Sequence, residues 1–279
     1  MLGYFTEVNS VETVNARMGA TINPRVRQVM SSLVGHLHAF VKDVQLTQEE
    51  WEYAINFLTR TGQICSDERQ EFILLSDTLG VSMLVDAVNN RRPAGATENT
   101  VFGPFHVAGG PVRPMGYNVN LDGRGEKCLY RGRVVDLQGE PIAGARIDVW
   151  SDSVDGFYDV QQPNIQPKWN NRGTFITGED GAYHYLGIKP VSYPIPDDGP
   201  VGQMLIALGR HPYRPAHMHY LIVAEGYQKL VTHIFAAGDT YLESDTVFGV
   251  KKSLILDFKK VEGDSIQWEA AFDFVLVRR

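Results

Sequence analysis

Sulfur is scarce in this chain. Only two cysteines occur, Cys65 and Cys128, far apart and without paired spacing. That excludes a cysteine-built zinc site or iron–sulfur cluster and fits a reducing compartment. A basic surplus is missing too. Lysine and arginine number 26 against 33 acids, a net charge of -7, with a pI of about 5.6, which argues against nucleic acid as a partner. No run of 18 apolar residues is present, so no membrane insertion is expected. Met1-Leu2-Gly3-Tyr4 begins nothing like a signal peptide, and a soluble, cytoplasmic protein is expected. No internal repeat or low-complexity tract is visible. What the chain does have is length. Its 279 residues bury a core without disulfides and allow one large domain, or one domain plus an appendage.

The chain changes character near residue 95. Before it, helix punctuation dominates. Asn23 followed by Pro24 is an N-cap and first-turn pair, opening an amphipathic run to about Val44. Thr47 with Glu50 reads as a capping box for a segment holding Trp51, Ile55 and Leu58. Asp67 with Gln70 opens a third helix containing Phe72, Leu75, Leu79 and Leu84, and the stretch from Asn89 to Gly95 ends the region. After residue 125 the pattern becomes strand–turn–strand. Short β-rich runs cover 129–135, 145–150, 174–177, 182–186, 218–223, 230–235 and 272–277, with turns such as Gln138-Gly139 and Asp180-Gly181 between them. The expected fold is α+β: a helical N-terminal domain over residues 1–96, then a mainly antiparallel β-sandwich over 97–279, with a site on its long loops.

Two histidines stand out. His217 and His219 sit in Arg214-Pro215-Ala216-His217-Met218-His219-Tyr220-Leu221-Ile222-Val223. Pro215 argues against a helix there, and the apolar run reads as a strand. Residues two apart in a strand face the same way, so both imidazoles can reach one metal. His36 and His38 share that spacing but lie in an expected helix, where residues two apart diverge by about 200°. They are taken as structural. His106, His184 and His211 are given no site role. Tyr158 lies in the loop Asp155-Gly156-Phe157-Tyr158-Asp159-Val160, and Tyr193 in the proline-rich loop Ser192-Tyr193-Pro194-Ile195-Pro196. Taken singly, such tyrosines are amphipathic edge residues. Composition does not choose them from twelve.

A resemblance does. The segment from about Thr97 to Gly249 resembles the intradiol ring-cleaving dioxygenases of the catechol 1,2-dioxygenase type. The matching pieces are Thr100-Val101-Phe102-Gly103-Pro104-Phe105, Gly139-Glu140-Pro141-Ile142-Ala143-Gly144-Ala145, Val149-Trp150, Gly209-Arg210-His211, the Arg214-to-His219 run, and Gly238-Asp239. Three details look like the hydroxyquinol-cleaving branch: Gly156-Phe157-Tyr158-Asp159-Val160-Gln161, Tyr193-Pro194-Ile195-Pro196, and Val231-Thr232-His233-Ile234-Phe235. His233 stands where the catechol-cleaving pattern usually has glutamine.

The resemblance implies that Tyr158, Tyr193, His217 and His219 bind one Fe(III) per subunit. Two phenolates and two neutral nitrogens make a hard, doubly anionic set that suits ferric iron better than copper(I) or structural zinc. They also imply a strong visible colour. By the same likeness Tyr193 leaves the metal to act as general base. Arg214 steadies negative charge developing on the substrate without proton transfer. The implied pocket is walled by Leu74, Asp77, Val101, Gly103, Pro104, Ile195, Pro196 and Val247. His233 is either a group behind the iron or a satisfied core histidine. Asp77 either accepts from a third substrate hydroxyl, or faces solvent or caps a neighbouring element. The implied reaction is intradiol cleavage of hydroxyquinol (1,2,4-trihydroxybenzene) by O2, giving 3-hydroxy-cis,cis-muconate, a tautomer of maleylacetate. Catechol or substituted catechols are the alternative substrates. A non-catalytic sandwich module that binds a small aromatic is the alternative from another class, and the complete ligand set weighs against it. The likeness further implies a homodimer through the helical domain and a lipid at that interface.

Overall fold

Asn23 accepts the Arg25 N–H at 2.8 Å through its side chain, and Pro24 supplies the first turn, so a helix begins where the sequence places it. In this computed structural model, which describes residues 4–19, 23–66, 69–262 and 265–279, that helix is the second. A short α1 (Ser10–Ala16) precedes α2 (Pro24–Val44). The capping box of α3 (Gln48–Gln63) forms as expected. Thr47 N–H donates to Glu50 Oε2 at 2.9 Å, and Glu50 N–H returns to Thr47 Oγ1 at 3.2 Å. The expected third helix is two helices, α4 (Glu71–Thr78) and α5 (Val81–Asn89), separated where Gly80 takes φ +74°. Asp67, expected to open it, lies outside the described residues.

The chain divides into two compact units, Met1–Arg60 and Thr61–Arg279, with the boundary inside α3. In the first unit α1 packs on α2. None of the residues of α2 is buried. No helix among the described residues is long and apolar enough to cross a membrane.

The second unit carries the sandwich. Its elements are β1 (Lys127–Asp136), β2 (Arg146–Trp150), β3 (Arg172–Ile176), β4 (Ala182–Ile188), β5 (Tyr193–Pro194), α6 (Pro200–Ala207), β6 (Tyr213–Arg214), β7 (His217–Val223), β8 (Leu230–Ala236), β9 (Ile255–Leu256), β10 (Lys259–Lys260), β11 (Trp268–Ala271) and β12 (Phe274–Leu276). One sheet runs β10-β11-β1-β12, with β4 also on β1; the other runs β3-β2-β7-β8-β9. Pairing is mostly antiparallel, with β11 and β12 parallel to β1, and β9 parallel to β8. The expected strand over 272–277 starts later because Asp273 Oδ1 takes the Arg133 N–H at 2.8 Å, a side chain standing in for the ladder. The short strands β5, β6, β9 and β10 are too brief to leave a periodic signal. The core lies between the sheets. It takes Tyr130 and Val134 from β1, Ile147 and Val149 from β2, Met218, Tyr220 and Ile222 from β7, and Phe274 from β12.

Candidate metal centre

Strand parity builds the centre. On β7, Met218, Tyr220 and Ile222 point into the core, so His217 and His219 point to the outer face of their sheet. Both imidazoles are buried there. Register then places Trp150 of β2 and His233 of β8 on either side of His219, in one row across three strands. His217 Nδ1–H donates to the Pro215 carbonyl at 2.7 Å, which makes Nε2 the lone-pair nitrogen of the ring.

Loops bring the tyrosines over this face. Tyr158 follows β2 and opens a 3-10 turn, its N–H donating to Gln161 Oε1 at 2.9 Å. Next to it, Asp159 makes a buried ion pair with Arg172 at 2.6 Å and accepts the Trp169 N–H at 2.9 Å. Phe105 stacks on the Tyr158 ring, centroids 4.6 Å apart. Tyr193 lies on β5, in register with Arg214 of β6. Two glycines with positive φ leave room for the His219 ring and for the base of the Tyr193 side chain. A Cβ at Gly103 would meet His219 Cε1 at 2.9 Å, and one at Gly156 would meet Tyr193 Cβ at 2.9 Å.

The four polar ends converge. Tyr158 Oη is 3.3 Å from Tyr193 Oη and 2.9 Å from His219 Nε2, which is 3.1 Å from His217 Nε2. Ligand atoms bonded at about 2.0–2.1 Å and 90–109° to one ion stand about 2.9–3.4 Å apart. The spacing fits a single metal. His217, His219 and His233 also hold their donor nitrogens within 4.8 Å of one another.

The electrostatics agree with that fit. Burial pushes the Tyr158 phenol well above its ordinary range, and neighbouring Tyr193 adds to the effect. Burial raises Tyr193 as well, but Arg214 pulls it back. A phenolate here therefore needs a cation beside it. Burial holds His217 and His219 well below the usual imidazole range, with the Arg214 charge working the same way. Neutral imidazole is the form that binds metal. Burial keeps His233 neutral too. Among the described residues its ring nitrogens find no hydrogen bond of normal geometry, while the Val101 backbone lies near enough to act on the ring.

Arg214 is fully enclosed. Its Nε and Nη2 donate to Asp245 at 3.1 and 3.3 Å, and Nη1 lies 3.1 Å from His217 Nε2. Burial opposes its charge, but the Asp245 carboxylate beside it works the other way, and the guanidinium stays charged. Asp245 is itself fixed by the Gly249 N–H at 2.9 Å.

Beside the cluster lies a cavity of about 500 Å³. Of the sequence-expected wall, Leu74, Asp77, Pro104 and Pro196 line it. Asp77 is buried, not facing solvent. Burial raises its pKa, with the Ser82 hydroxyl and Arg214 pulling the other way. Val101, Ile195 and Val247 instead form an apolar cluster with Met83 and Leu205, against which Leu74 packs. Gly103 abuts His219, and His233 lies in the row behind. Sequence reasoning missed His106, which lines the cavity and packs edge-on against Trp150 at 4.7 Å. Asp245, too, had no motif to mark it. Trp150 was visible as part of a matching segment, but its place beside His219 needed the register.

The architecture and this cluster define a class: a helical N-terminal region joined to a β-sandwich whose outer face carries a buried site ready for metal. Residues 23–97 match the family model described as the catechol dioxygenase N terminus, and residues 102–278 the model described as Dioxygenase. The chain is 56% identical over 286 residues to hydroxyquinol 1,2-dioxygenase of Rhizobium sp. (strain MTP-10005), covering 99% of this chain and 97% of that protein. It is 50% identical over 272 residues to 6-chlorohydroxyquinol 1,2-dioxygenase of Cupriavidus pinatubonensis, covering 98% of each. The solved hydroxyquinol 1,2-dioxygenase of Pseudomonas putida DLL-E4 superposes with a TM-score of 0.93 at 48% identity, over 98% of this chain and 99% of that one. The chain therefore belongs to the intradiol ring-cleavage dioxygenases. It is an enzyme of that type, and the family works with non-haem iron.

Proposed function

We propose that this enzyme cleaves hydroxyquinol between its adjacent hydroxyl-bearing carbons, adding both atoms of O2 to give 3-hydroxy-cis,cis-muconate. The observation that carries the reading is the convergence of Tyr158 Oη, Tyr193 Oη, His217 Nε2 and His219 Nε2, with neighbouring atoms no more than 3.3 Å apart. It lies beside a cavity with a buried carboxyl, Asp77. We assign those four residues to one ferric ion per subunit, which would supply Lewis acidity toward the adjacent hydroxyls of the substrate.

The chain's own residues do the rest. Tyr158 stays as an anionic ligand, wedged by Phe105. Tyr193 takes a substrate hydroxyl proton onto its phenolate oxygen, a form that Arg214 favours. The Arg214 guanidinium, fixed by Asp245, steadies negative charge that builds on the ring oxygens. Asp77, already beside the Ser82 hydroxyl, accepts in addition from the third hydroxyl, so plain catechol forgoes one bond to a buried carboxyl. His233 backs His217 and His219.

Residues 1–96 are assigned to pairing with a second copy and 97–279 to catalysis, with α4 lending Leu74 and Asp77 to the cavity wall. The exposed apolar side chains of α2, among them Leu33, Leu37, Phe40 and Val44, support a homodimer. Both cysteines are free thiols, which fits a reducing cytoplasm. The test is oxygen uptake by iron-loaded protein with hydroxyquinol and with catechol, using Tyr158→Phe as the blank for spontaneous oxidation. Strong preference for hydroxyquinol is expected. Equal uptake with catechol removes Asp77 from the specificity argument, and no uptake with either overturns the reading.

A further inference from the structure

Tyr193 rides on a strand of two residues, β5, whose ladder consists of the Tyr193–Arg214 and Pro194–Tyr213 pairs. So short a ladder holds a functional side chain weakly. The residue before it is tied elsewhere. Ser192 Oγ–H donates to Asp239 Oδ2. The same oxygen accepts the N–H of Ala216, the residue before His217, at 3.0 Å. The other oxygen, Oδ1, takes the Tyr241 N–H at 2.8 Å, which fixes the turn that presents the carboxylate. Ala236, at the end of β8, adds a further brace by donating its N–H to the Ala216 carbonyl at 2.9 Å. One carboxylate oxygen thus joins the segment of Tyr193 to the segment of His217, whose rings lie 5.5 Å apart.

We infer that Asp239 is a positioning residue that sets the spacing between Tyr193 and His217. The inference rests on the assignment of both as ligands of one metal. Tyr193, assigned as both ligand and base, would need its backbone held by a fixed anchor, which the two-residue ladder of β5 supplies only weakly. A carboxylate suits this because it offers two acceptor oxygens to three donors, and charge strengthens each bond. Asparagine keeps one acceptor oxygen. It must release either the Ser192–Ala216 pair or Tyr241.

The experiment compares iron-loaded wild type with Ser192→Ala and Asp239→Asn. It reads the visible tyrosinate absorption, the rate of iron loss to a chelator without substrate, and kcat and KM for hydroxyquinol. Both variants are expected to shift the absorption and lose iron about tenfold faster or more. Their kcat should fall in step while KM stays within about twofold, since the damage is to ligand geometry rather than to substrate contacts. Folded variants with the absorption and iron-loss rate of wild type overturn the inference. If Asp239→Asn does not fold, Ser192→Ala decides alone, because it removes one hydroxyl and leaves the Ala216 and Tyr241 bonds in place. If wild type itself lacks the absorption, the ligand assignment fails first, and this inference falls with it.

Discussion

Trp150 lies flat against His219, ring centroids 4.8 Å apart and planes 13° from parallel. The two are directly paired on neighbouring strands. His233 meets the other side of the same imidazole edge-on at 4.1 Å, again from a paired position. The orientation of His219 is therefore set by sheet register and packing. No hydrogen bond to Nδ1 assists, since that nitrogen has no hydrogen-bond partner among the described residues. His217 is oriented differently, through Nδ1 and the Pro215 carbonyl. Two neighbouring imidazoles are thus aimed at one point by different devices.

That difference yields a prediction for Trp150. Replacing it with alanine removes a fully buried indole, which costs about 3–5 kcal/mol of stability, and lets the His219 ring turn. Trp150→Phe keeps an aromatic face and should keep most of the iron affinity. Denaturant unfolding of the metal-free proteins and iron titration check this. Equal iron affinity in Trp150→Ala and wild type would remove the stack from the argument.

Tyr158→Phe should abolish turnover and most of the visible colour. Burial makes the Tyr158 phenolate costly, so that anion exists only where a cation repays the cost. Removing the oxygen removes both the charge and the absorption. Absorbance of the iron-loaded variant is the measurement, and full activity in Tyr158→Phe would refute its role.

The fold was legible where local chemistry is emphatic. The Asn23-Pro24 start and the Thr47/Glu50 box both appear as hydrogen bonds. The alternation around His217 and His219 marked a strand with two aligned imidazoles. The partners of that site were another matter. Nothing near Asp245 in sequence announces its ion pair with Arg214, 31 residues away. His106, dismissed as an ordinary histidine, reaches the cavity wall because the loop after Gly103 folds over Trp150. The tyrosines needed a family likeness, since a loop tyrosine carries no periodic signal. Register and loop closure are long-range facts, and a single sequence states them only indirectly.

Asp77 is predicted to act on both specificity and stability. Asp77→Ala should reduce kcat/KM for hydroxyquinol more than for catechol, and equal losses would count against a contact with the third hydroxyl. Its folded pKa is raised above the unfolded value, mainly by burial. The folded state therefore holds the proton more tightly, and stability drains as pH rises from about 4 through the folded pKa. Asp77→Asn removes that loss. Thermal melts at pH 4 and pH 7 should show the variant gaining on wild type at the higher pH; no gain would mean that the Arg214 charge and the Ser82 hydroxyl outweigh burial.

The three clustered histidines make an opposite prediction at acid pH. His217, His219 and His233 are each held well below the ordinary imidazole range, burial being the largest cause. The unfolded chain protonates them at about pH 6.5 while the folded chain does not. Falling pH thus favours unfolding, by up to about 1.4 kcal/mol per pH unit for each histidine until its folded pKa is reached. Metal-free protein should lose stability progressively below about pH 6.5. His233→Gln should show a shallower loss, because one of the three protons taken up on unfolding is gone. Bound iron favours the deprotonated ligands, so loading it should move the onset of loss to lower pH. Denaturant titrations across pH 4.5–7.5 test all three statements, and an unchanged slope in His233→Gln would mean that this imidazole is already protonated in the fold.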